Sequence, residues 1–167
     1  SYVVPGATVL RVPTIDPVTS HYTDALPRLW IADFGANKVF RLKLDPLVID
    51  GAAISLPGES PFKVVAGGGF MWVLTGTKKV FVYSVAADIP ALVGSVDLSA
   101  LFANAVSDIT YDSVTSRAIV TGIDGTGPTY DWAVVRIDAT PAADSFTTIA
   151  DAQYDAGSPI LQFLQTT

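Results

Sequence analysis

The sequence predicts an all-β chain built from antiparallel four-stranded meander repeats, about three of them. A recurring hairpin is the first reason. Leu29-Trp-Ile-Ala-Asp-Phe-Gly-Ala-Asn-Lys-Val-Phe-Arg-Leu-Lys-Leu44 is echoed by Met71-Trp-Val-Leu-Thr-Gly-Thr-Lys-Lys-Val-Phe-Val-Tyr-Ser-Val85, and Trp72 follows Trp30 by 42 positions. That spacing belongs to sheet-array repeats. The second reason is the choice of acid: of 16 acidic residues only Glu59 is Glu. Asp serves turns and caps, whereas Glu serves helix interiors. The third is punctuation. Thirteen Gly and 11 Pro break up runs rich in Val, Thr and Ile, as short strands joined by tight turns require.

Each element follows from its local chemistry. Residues 1–25 form an N-terminal strand and loop, with 7–15 reading as an outer strand. Repeat 26–60 holds strands at 29–33, 38–44 and 52–56, separated by Asp45-Pro46 and Pro57-Gly58. Repeat 61–105 is the fullest: strands 61–66, 70–74, 79–85 and 92–98, with turns at Gly67-Gly-Gly69 and Thr75-Gly-Thr-Lys78. Its tail, 97–105, also fits a short helix capped by Asp97 or Ser99. Repeat 106–158 holds strands 106–111, 117–122, 132–138 and 146–149, with 123–131 as a long loop. Residues 159–167 form a terminal strand with no successor. The whole is one domain of 167 residues.

The hairpin from Leu29 to Leu42 resembles the blade signature of NHL-type and YVTN-type β-propellers: an apolar strand, an Asp, a Gly/Asn turn, then basic-Val-apolar. The resemblance is good there, fair over 71–85 and weak over 117–138. It implies a meandering sheet repeat with loop-borne binding faces, and it implies no single activity. Three blades are fewer than the about four to eight of closed propellers, so an open or oligomer-completed propeller is expected.

Composition excludes several functions. A net charge of −6 and a pI near 4.4 leave no basic stripe for nucleic acid or for anionic membranes. No apolar run reaches the roughly 18–20 residues of a membrane span. Cysteine is absent and His21 is the only histidine, so thiolate and multi-His metal sites are ruled out. Asp33-Phe-Gly35 lacks every other part of a kinase signature, and Gly67-Gly-Gly69 precedes a strand rather than a helix, so neither cradles phosphate.

Site candidates are correspondingly few. No catalytic or cofactor-binding residue is assigned. Asp33, Asp108, Asp112 and Asp124 are weak metal candidates. Asp124 lies in Ile123-Asp-Gly-Thr-Gly127, whose oxygen ligands and glycines have the flavour of a calcium loop. Propeller lactonases bind a channel metal through acids and amides of several blades. The resemblance would carry that role to Asp33, Asn37, Asp108 and Asp112. Asp124, Thr126, Tyr130, Asp131 and Trp132 form the expected contact loop, with Tyr130 and Trp132 as a possible carbohydrate platform.

The expectation from these residues is a non-enzymatic recognition module that assembles with other protein chains, as a homo-oligomer or larger particle. A mean hydropathy of +0.43 favours burial against partners. A virus or phage component, in the virion or outside the cell, is the expected setting, with the cytoplasm left open. The alternatives are a metal-dependent hydrolase or lactonase completed by oligomerisation, and a carbohydrate-binding module.

Overall fold

A computed structural model describes residues 3–16, 22, 24, 26–102, 104–124, 129–140 and 147–155. They form three antiparallel sheets, each a meander in which strands adjacent in sequence pair in space. The first sheet contains β1 (Thr14–Asp16), β2 (Arg28–Asp33), β3 (Lys38–Leu44), β4 (Leu47–Ile49) and β5 (Ile54–Ser55). β4 and β5 both pair with β3, so together they serve as its fourth strand. The second contains β6 (Pro61–Gly67), β7 (Phe70–Thr75), β8 (Lys79–Ser84) and β9 (Ala91–Asp97). The third contains β10 (Ala105–Asp112), β11 (Arg117–Asp124), β12 (Thr129–Ile137) and β13 (Thr147–Asp155). The four-stranded meander is therefore the repeating unit, and the three sheets are three blades.

The blades stack face to face. Trp30, Val39, Val64 and Met71 fill the space between the first and second. Val65, Trp72, Val82, Ile109, Val120 and Val135 fill the space between the second and third. Side chains alternate across a strand, so Val64 and Val65, like Trp72 and Val73, serve opposite cores. A blade buried on both faces reads as a continuous apolar run, which is why 70–74 shows no polar alternation. On the far side of the first blade, Val4 and Ala7 cover Ile31, Phe40 and Leu42. The first strands of the blades lie side by side, β6 between β1 and β10.

Two turns explain the hairpin spacing. Gly68 and Gly69 both have positive φ, 57° and 85°, between the paired residues Gly67 and Phe70. A two-residue turn of that kind matches the strand twist. Asn37, Lys78 and Ser116 also have positive φ, each directly before the basic residue that opens the next strand.

Three expectations change. Segment 7–15 is no outer strand. Leu10 bridges Asp33, Arg11 N donates to the Ala32 carbonyl at 2.9 Å, and Thr14 pairs with Trp30. The segment therefore runs along the free edge of β2, at the inner end of the first blade. In place of the expected helix over 97–105, residues 98–102 make one capped turn: Phe102 N donates to Leu98 O at 2.8 Å, and Asp97 Oδ1 accepts Ser99 N at 2.8 Å. β10 follows at once and leaves no length to propagate it. The expected loop 123–131 is in part strand: β11 runs to Asp124, β12 begins at Thr129, and Asp124 pairs with Asp131. The expected strand 159–164 lies outside the described residues.

Candidate functional site

Among the described residues, a charged pair joins the inner strands of two blades. Lys63 on β6 and Asp108 on β10 form an ion pair that bridges the second and third blades. Each sits beside a register shift: between Pro61 and Lys63 in β6, and between Val106 and Asp108 in β10. A bulge sets two residues against one and re-aims the neighbouring side chain. Here two bulges on adjacent inner strands bring a cation and a carboxylate together outside the apolar core. Both remain open to solvent, at 32% and 55% exposure. Asp108 Oδ1 also accepts the N–H of Ile109 at 2.8 Å.

Asp33 is differently occupied. Its carboxylate, fully buried, accepts the N–H groups of Thr8, Val9, Gly35 and Ala36 and the hydroxyl of Thr8, at 2.6–3.1 Å. Burial alone would raise its pKa, but these donors outweigh it and hold the group at about 2. Those five bonds leave it poorly placed to ligate a metal, and they pin the β2–β3 turn to the N-terminal segment. Asn37 accepts Ser60 N at 2.8 Å and so ties the first blade to the second. Asp112 accepts Val114 N at 2.9 Å and the Thr115 hydroxyl at 2.5 Å, closing its own turn and lying below its ordinary pKa for that reason.

The predicted contact loop is divided. Asp124 ends β11, while Tyr130, Asp131 and Trp132 belong to β12, paired with Tyr154, Gln153 and Ala152. Thr126 and His21 lie outside the described residues. Among the described residues no three His, Cys, Asp or Glu side chains gather as a metal site. Asp33, Asp108 and Asp112 each serve a different contact, so the channel-metal role is not met by these acids.

A second cluster escaped the sequence reading. Arg28 and Arg41, both buried, share Asp50, and Arg28 and Lys43 share Asp24. Tyr22 lies beneath both guanidiniums, 4.3 and 5.5 Å from its ring, and donates to buried Asp16 at 2.8 Å. Burial and the Asp16 bond push the Tyr22 phenol well above its ordinary pKa. Hydrogen bonds from Arg28 and Lys43 hold Asp24 well below the usual carboxylate range. Three acids balance three bases here, and four of the five Arg28 N–H donors go to Asp24, Asp50 and the Leu26 carbonyl. The cluster is a brace. Its signal was a pair of arginines inside apolar strand runs, Arg28-Leu-Trp30 and Phe40-Arg-Leu42.

No protein-family model matches the chain, and no curated protein matches it. Solved structures do. A proposed 6-phosphogluconolactonase of Bacteroides uniformis superposes with TM-score 0.60 at 12% identity, over 85% of this chain and 40% of that one. A second, from Bacteroides fragilis, gives 0.58 at 15% over 86% and 41%. Sqt1 of Saccharomyces cerevisiae gives 0.56 at 13% over 83% and 34%. The chain thus spans about 40% or less of the length of these structures. At such identity the likeness establishes the fold, a run of propeller blades. None of the three is a virus or phage protein by name. The expectation of a non-enzymatic module is overturned here: two of the three chains that share these blades bear the name of an enzyme.

Proposed function

We propose that this chain is part of a propeller hydrolase that opens lactones at the inner wall of its blades. The observation that carries this reading is the Lys63–Asp108 pair, aimed by two bulges onto adjacent inner strands and left open to solvent. The names of the two Bacteroides neighbours supply the substrate class.

Hydrolysis of a lactone needs a base for water and a cation for the developing oxyanion. Asp108 accepts a proton from water as its oxygen attacks the ring carbonyl. The Lys63 ammonium steadies the tetrahedral oxyanion. Collapse breaks the ring C–O bond, and the alkoxide takes back the proton, giving the open hydroxy acid. Atoms and charge balance without a further reactant. Pairing with Lys63 also orients the Asp108 carboxylate.

The test is proton release from 6-phosphogluconolactone and from unphosphorylated gluconolactone, corrected for spontaneous opening. Turnover that drops about 100-fold in Lys63→Met supports the reading, in the range of one lost oxyanion donor. No acceleration over buffer by the purified protein would reject it.

A further inference from the structure

All three inner strands carry the same irregularity at the same level. Trp30, Trp72 and Ile119 are the third residues of β2, β7 and β11, and three places further on stand Asp33, Thr75 and Gly122. Their inner-strand partners are Leu10, Pro61 and Val106. One residue back along β7 and β11 the register has shifted. Leu74 faces Lys63 and Thr121 faces Asp108, so Phe62 and Ser107 are the extra residues. In the first blade the ladder resumes at Thr14 opposite Trp30, so four steps from Leu10 match three from Asp33. The extra residue there falls among Arg11, Val12 and Pro13.

The level that presents Lys63 and Asp108 therefore also presents Arg11. Arg11 is exposed, and among the described residues it and Lys63 are the two bases of the three inner strands. Lys63 is paired with Asp108, whereas no carboxylate among the described residues pairs with Arg11. Its guanidinium lies over the Phe34 ring, 4.9 Å from the centroid. A stack of that kind orients the planar fork and leaves its N–H donors unused. Phe34 is itself backed by the start of the second blade. A Cβ at Gly76 would lie 3.5 Å from the Phe34 ring and 3.4 Å from Ser60 Cβ. Ser60 precedes Lys63 by three residues, about 10 Å of strand.

We infer that Arg11 is the phosphate anchor of the inner wall, and that the lactone opened there carries a phosphate monoester. The inference rests on the lactone reading for its substrate. Two parallel N–H groups of the fork meet two phosphate oxygens, while Lys63 and Asp108 attend the ring carbonyl. The phosphate and the carbonyl of such a lactone lie at opposite ends of the molecule, and the two cations are spaced along the wall in the same sense. The anchor makes the same contact before and during ring opening, so its effect falls on KM more than on kcat.

Calorimetric titration with 6-phosphogluconate and with gluconate, the two open acids, reads binding without turnover and so separates this inference from the hydrolytic one. Wild type should bind 6-phosphogluconate about ten- to hundredfold more tightly than gluconate, the effect of a charge-assisted contact. Arg11→Gln should bring that ratio close to one. Arg11→Lys, which keeps the charge and loses the fork, should recover part of it. Far-UV circular dichroism checks that each variant is folded. Equal binding of the two acids by wild type, or binding of neither, would overturn the inference, as would a preference that survives in Arg11→Gln. Phosphate-dependent binding lost in Arg11→Gln upholds the anchor even where no lactone is opened, an outcome that rejects the hydrolytic reading alone.

Discussion

Asp33 shows how one carboxylate can organise a whole turn. Five donors converge on it from two segments about 25 residues apart in sequence. Asp33→Ala leaves those donors buried and unmade, with an expected loss of about 3 kcal/mol in chemical denaturation. The same bonds set a pH dependence. The folded pKa, about 2, lies below the unfolded value of about 3.9, so the contribution is complete above the unfolded value. It is lost as pH falls toward 2. Acid titration of wild type and Asp33→Ala should therefore converge at low pH, and parallel curves down to pH 2 would count against it. Lys63 and Asp108 sit at the opposite extreme. They are exposed, so their pairing adds little to stability, and their position on bulges gains meaning through what they can bind.

At the scale of the element, close approach between blades decides the glycines. A Cβ at Gly67 would lie 2.2 Å from the Tyr111 ring, and one at Gly122 would lie 2.5 Å from Phe102. Tyr111 also stacks against Trp72, ring centroids 5.5 Å apart, so it cannot simply retreat. Gly67→Ala is expected to cost about 1–3 kcal/mol, and that cost should shrink in a Tyr111→Ala background. Equal costs in both backgrounds would show that the ring does not set the constraint. The hairpins of the second blade were legible because Gly67-Gly-Gly69 and Thr75-Gly-Thr-Lys78 mark both turns. The inner role of 9–16 was not, because its pairing with β2 is long-range and Pro13 interrupts the ladder. The bulges beside Lys63 and Asp108 were also hidden: a bulge is a mismatch between two strands, invisible in either one. Asp108 was named from its place on an inner strand, but Lys63 reads in sequence as an ordinary strand lysine.

At the scale of the molecule, three blades form an arc whose junctions each combine a dry apolar core with a hydrogen bond, from Arg41 to the Asp88 carbonyl and from Trp72 to the Asp138 carbonyl. The braced charges around Arg28 and Arg41 sit in the first blade, where β2, β3 and the residues before them converge. Removing one partner of such a buried set is far more damaging than the set is stabilising. The repeat made the architecture readable, since Trp30 and Trp72 occupy matching rows. The third copy blurred because Ile119 stands where the tryptophans do. The arc also directs the functional reading, since its inner wall is where polar side chains of neighbouring blades meet.

In the proposed reaction Asp108 activates water at that wall. The kcat/KM for lactone opening by Asp108→Asn, against wild type and in the same buffer, tests it most directly. The isosteric amide keeps the shape and removes the base, so a fall of about 100-fold or more is predicted. Unchanged kcat/KM in a folded Asp108→Asn protein would contradict the account.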